Sequence, residues 1–115
     1  MTAAEAHARF ERVVADAMRA ADPAAAMRVA ARDRRLPAAM RRALAAADAD
    51  GVRMAALLVA RLRFERLLRG SPEAEAWFES DPEGFAEGFR RYHAEVAPAA
   101  FDPAGEAGLF RAWMG

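Results

Sequence analysis

The chain predicts an all-α fold: a single compact bundle of about seven helices around a central apolar helix, forming one domain over residues 1–115. Three observations lead there. Apolar residues recur at helical spacing in segment after segment, leaving essentially no strand. Four times a capping side chain is followed directly by proline, at Asp22-Pro23, Ser71-Pro72, Asp81-Pro82 and Asp102-Pro103. Asp or Ser accepts hydrogen bonds from the first free amides of a helix, and proline at the next position has no amide to waste and a φ already suited to helix. Finally, 115 residues is a one-domain length that can bury a core without disulfides.

The first helix is expected from about Ala3 to Ala20, with Phe10, Val13, Val14, Ala17 and Met18 on one stripe. The second runs from Pro23 to about Arg32, with Met27, Ala30 and Ala31 inward. Leu36-Pro37 opens the third, with a weaker start, and Met40, Ala43 and Leu44 face in. After the turn Asp48-Ala49-Asp50-Gly51, with Asp50 the candidate cap, a fourth helix runs to Arg69. It is apolar nearly all round, which marks a helix wrapped by others. Gly70 ends it, because glycine takes the left-handed cap conformation without a Cβ penalty. Three shorter helices follow. Pro72–Glu79 presents Trp77 and Phe78; Pro82–Val96 lines up Phe85, Phe89, Tyr92 and Val96; Pro103–Met114 presents Ala107, Phe110, Trp113 and Met114.

Charge and aromatic content divide the chain. Nine of its ten aromatic residues lie between Phe64 and Trp113. Residues 1–70 carry fourteen arginines against eight acids, and residues 71–115 carry three against nine, so a neutral chain is polarised, +6 then −6. Arginine on a mostly buried helix is costly unless paired. Arg61, Arg63, Arg66 and Arg69 therefore either meet the acids of the C-terminal half or face a partner. Lysine, isoleucine, asparagine and glutamine are absent, as expected of a GC-rich genome. The arginine count is then no nucleic-acid signature, and a pI of 6.7 agrees. There is no cysteine for a disulfide or thiolate site, and neither a signal peptide nor a membrane span is read; a reducing, cytoplasmic setting is expected.

Chemistry-bearing motifs are scarce. His7 and His93 are the only histidines, and neither falls in a metal-binding helical pair; His93 reads as partly exposed. Asp48-Ala49-Asp50-Gly51 lacks the third acid and closing Glu of a calcium loop. Ser71 reads as a cap, and the paired carboxylates sit at helix starts, where the dipole favours negative charge. No catalytic residue, metal site or cofactor is assigned. The cluster Arg28, Arg32, Arg34, Arg35, Arg41 and Arg42 is a solvated face or, alternatively, a helix-turn-helix surface touching phosphates. Tyr92 fits the core stripe of its helix, although Arg90-Arg91-Tyr92-His93 also has the residue types of a recognition surface.

The series Arg63-Phe64, Leu67-Leu68, Trp77-Phe78, Asp81-Pro82, Phe85, Phe89, Tyr92-His93, Val96, Pro98, Phe110 and Trp113 resembles the helical N-terminal region of a known family. These are the small partner proteins of multinuclear non-heme iron-dependent oxidative enzymes, including the partner subunits of methanobactin and 3-thiaglutamate biosynthesis and the so-called putative DNA-binding domain proteins. The likeness covers about residues 57–114. It implies a non-catalytic accessory subunit that docks on the iron enzyme and helps recruit a ribosomal precursor peptide. Arg63, Arg66, Arg90, Arg91, Tyr92 and His93 are the candidate contacts. Larger members add a β-rich region that captures peptide by strand addition. No such region is read here, so a helical groove or a pure docking role would replace it. A nucleic-acid-binding helical module and a general protein–protein adaptor are the alternatives.

Overall fold

The computed structural model describes residues 1–115 and contains seven α-helices and no strand. They are α1 (Ala3–Met18), α2 (Pro23–Ala30), α3 (Ala38–Ala46), α4 (Ala49–Gly70), α5 (Pro72–Ser80), α6 (Pro82–Glu95) and α7 (Pro103–Met114). Internal packing divides the chain into two compact units, Met1–Leu58 and Val59–Gly115, and α4 contributes to both. None of the helices is long and apolar enough to cross a membrane.

Capping chemistry explains most of the boundaries. Asp22, Ser71 and Asp81 each accept the backbone N–H three residues on, at 3.1 Å, and Thr2 does the same for α1. Each such cap contributes about 1 kcal/mol. Asp102 occupies the N-cap of α7 without making the side-chain bond expected of it. Pro37 starts α3 with no side-chain cap, in keeping with a weak start. The cap of α4 is Asp48 rather than Asp50: its carboxylate accepts the Gly51 N–H at 2.8 Å, and its carbonyl accepts that of Val52.

In the first unit, Ala17, Met27, Leu36, Leu44 and Val52 form the buried core, with Phe10, Val13, Val14, Met18 and Met40 packed against it. Ala43, expected inward, is exposed. The turn after α2 is tied back to α1: Arg9 Nε donates to Asp33 Oδ2 at 2.7 Å, and the Arg35 N–H donates to Asp33 Oδ1 at 3.0 Å. These bonds, that from Arg9 foremost, hold the Asp33 carboxyl below its ordinary value.

The core of the second unit is aromatic. Leu67, Ala74, Phe85, Phe89, Tyr92 and Phe110 are buried, with Phe64, Trp77 and Trp113 packed around them. The rings meet mainly edge to face: Phe64 against Phe89 at 5.2 Å between centroids, Trp77 against Phe85 at 5.4 Å, Tyr92 against Phe110 at 5.1 Å. That geometry sets the positive edge of one ring on the negative face of the next, worth about 0.5–1.5 kcal/mol per pair beyond area burial. Met114, at the end of α7, is exposed. Gly70 does not take the left-handed cap conformation; only Gly115 has a positive φ. Its role is steric. A Cβ on Gly70 would stand 2.0 Å from the carbonyl oxygen of Pro103, so glycine is what lets the start of α7 lie against the end of α4.

The fourth helix is less enclosed than its composition suggests. Val52, Ala56, Arg63 and Leu67 make its buried line, while Met54, Leu57, Leu58, Val59 and Leu62 are exposed.

Candidate functional site

The polar residues of the second unit converge on one carboxylate. Arg63 and Arg66 come from α4, Tyr92 and His93 from the last turn of α6, and Glu106 from the first turn of α7. Arg63, Tyr92 and Glu106 are 0% exposed, and His93 is 8% exposed. Arg63 Nε donates to Glu106 Oε2 at 3.0 Å, and Arg66 donates to Oε1 through Nε at 3.2 Å and Nη2 at 3.1 Å. The Tyr92 hydroxyl donates to the same Oε2. Arg63 Nη1 reaches the Val96 carbonyl at 2.6 Å and His93 Nδ1 at 3.2 Å. A guanidinium can only donate, so Nδ1 is the acceptor and the neutral His93 ring carries its proton on Nε2.

Two guanidiniums thus share one carboxylate. The leaner side of that balance is Arg66, whose side chain is 23% exposed and keeps contact with water. Arg63 has none. Its guanidinium carbon lies 4.4 Å from the Tyr92 ring centroid, so the ring face supplies a cation–π contact, while Nη2 makes no hydrogen bond. His93 in turn stacks on Phe89, 5.7 Å between centroids and 7° between planes.

This arrangement joins three helices, α4, α6 and α7. Burial, and then the hydrogen bond to Glu106, push the Tyr92 phenol up to about 12. It therefore holds its proton at neutral pH. The carboxylate is occupied from three sides. Elsewhere, His7 pairs with Glu11 at 2.8 Å on the exposed side of α1, and nowhere do three histidine or carboxylate side chains come together as a cation would require.

The expected contact residues separate into two groups. Arg63, Tyr92 and His93 are interior, and His93 is more enclosed than its sequence context indicates. Arg90 and Arg91 are exposed on α6, Arg90 bound to Glu87 at 2.6 Å, and Arg66 lies between the two groups. Of the two fates open to the arginines of α4, pairing with C-terminal acids holds for Arg63 and Arg66, whereas Arg61 pairs locally with Glu65 at 3.2 Å. Glu106, the hub, is not singled out by sequence reasoning. Its trace there is an acid four residues before Phe110 and beside Ala107, within the apolar line of its helix. In the first unit, Arg28, Arg32, Arg34, Arg35 and Arg42 are exposed, and Arg35 is bonded to Asp33 at 3.4 Å.

No protein-family model, curated protein or solved structure matches the chain.

Proposed function

We propose that this protein is a non-catalytic accessory subunit that acts by docking in the cytoplasm. The observation that carries this reading is the spending of its chemistry-bearing side chains on its own fold. Arg63, Tyr92, His93 and Glu106 bind one another in the interior of the second unit. What the molecule offers to others is surface.

The resemblance described above supplies the narrower form: an iron-dependent oxidative enzyme as the docking partner and its ribosomal precursor peptide as the recruited substrate. Of the six residues implied as contacts, Arg90 and Arg91, with the exposed edge of Arg66, are those a partner can reach. Guanidiniums there would pair with carboxylates on the enzyme or the peptide. The test is to mix the purified chain with such an enzyme and precursor. Co-elution on gel filtration and faster turnover with the chain present are expected, both weakened by the double substitution R90E/R91E. No complex and equal turnover without the chain would end this reading.

A further inference from the structure

We propose that a groove in the first unit, between the start of α1 and the turn joining α2 to α3, docks an acidic linear segment of a partner protein through one apolar side chain. The inference goes beyond the accessory-subunit reading and does not depend on it. The groove has a volume of about 310 Å³ and is open to solvent. Its floor is Ala6 and Leu36, 3% and 2% exposed. Ala3 and Pro37 line its sides, and the exposed Arg34 and Arg35 stand on its rim. The bond from Arg9 to Asp33 fixes the turn that carries both rim arginines against α1.

Size and charge choose the occupant. The groove lies at the small end of the roughly 300–1,000 Å³ range of ligand pockets, and it is open, so it seats a side chain of a passing polypeptide without enclosing a free molecule. The segment that supplies Arg34, Arg35, Leu36 and Pro37, residues 23–47, carries six arginines against the single acid Asp33, a net +5. Asp33 is already bound by Arg9 and Arg35. Arg28, Arg32 and Arg34 are exposed with no acidic partner. Unpaired guanidiniums beside an apolar pit match carboxylates beside an apolar side chain. Exposed ion pairs contribute little singly, so the seated side chain supplies the affinity and the arginines set the sign of the partner. A nucleic acid fits this surface less well. Its phosphates would satisfy the arginines but put nothing into the groove. Phe10, the only aromatic residue of the first unit, packs on the core and offers no ring for a base to stack on.

The test is an NMR titration of the full chain, its alanine and leucine methyls labelled, with the acetylated pentapeptide Glu-Asp-Leu-Asp-Glu at about 0.15 M salt, where long-range attraction is largely screened. Saturable shifts of the Ala6 and Leu36 methyls are expected, with those of Leu44, in the core of the same unit, little changed. A Kd of roughly 0.1–1 mM befits one seated side chain and a few exposed ion pairs. Replacing the leucine of the peptide by serine should weaken binding about tenfold or more. Arg34→Glu should weaken it roughly fivefold or more, whereas Arg42→Glu, the same charge change at an exposed position off the groove, should weaken it less than about twofold. Ala3→Trp, at an exposed position on the side of the groove, should fill it and abolish binding with helicity by circular dichroism unchanged. No saturable shift at Ala6 and Leu36, equal affinity for the serine peptide, or equal weakening by Arg34→Glu and Arg42→Glu overturns the proposal. So does a short mixed-sequence DNA duplex that shifts the same methyls at a lower concentration than the peptide. The iron enzyme and its precursor take no part in these measurements, so their outcome is separate from that of the docking test.

Discussion

Arg63 and Tyr92 are bound to each other twice over. The guanidinium lies across the face of the ring, and both side chains donate to the same oxygen of Glu106. One acid on α7 thereby orders a cation from α4 and a phenol from α6. A buried charge is tolerated only when paired and hydrogen-bonded, and this geometry meets that condition for Arg63 and Glu106 together.

Removing the shared acid should therefore cost far more than removing an exposed ion pair. Glu106→Gln keeps the shape but leaves Arg63 uncompensated in the interior, and is expected to lower stability by about 3–5 kcal/mol. Disrupting the exposed Arg90–Glu87 pair should cost about 0–1 kcal/mol. Urea unfolding measures both. In a double-mutant cycle with Arg63→Met, the double variant should lose clearly less than the sum of the two single losses; additive losses would show that the two groups do not act as a pair.

Tyr92 is the only tyrosine, so phenolate absorbance reports this group alone. In the folded chain its ionisation should come near pH 12, against 10.0 for an ordinary phenol. The sign for stability follows. Between those values the unfolded chain loses the proton while the folded chain keeps it, so stability falls as pH rises through that window and is intact below it. The gap corresponds to on the order of 3 kcal/mol. Tyr92→Phe should remove this alkaline slope and cost about 1.5–3 kcal/mol at neutral pH, the value of a hydrogen bond to a charged acceptor. A phenol titrating at its ordinary value in the native chain would contradict the buried bond to Glu106.

The helices were legible because their signals are local. Asp22, Ser71 and Asp81 sit immediately before prolines and cap where the sequence places them. The polar centre was only half legible. Arg61, Arg63, Arg66 and Arg69 look alike in a linear reading, and what distinguishes Arg63 is an acid 43 residues away on another helix. The one local hint is its place in line with Leu67, four residues on, along the buried side of α4. The exposure of Leu57 and Leu58 was illegible for a similar reason: composition states that they are apolar, not whether a neighbour reaches them.

Gly70 offers the sharpest steric test. A methyl group there would stand 2.0 Å from Pro103 O and 2.4 Å from Pro103 C, and both are backbone atoms that cannot rotate away. At Gly88 the nearest obstacle is the Trp77 ring at 2.6 Å, a side chain that can shift. Gly108 lies inside α7 with nothing within 4 Å of a built Cβ. The three alanine variants should therefore rank by what the methyl meets. Gly70→Ala should lose about 1–3 kcal/mol or more by overpacking, and Gly88→Ala should lose less. Gly108→Ala should gain about 0.5–1 kcal/mol, because alanine has the higher helix propensity and nothing opposes it. Thermal unfolding of the three variants measures the order. If Gly70→Ala proved as stable as the parent chain, the close approach of α7 to the end of α4 would be wrong.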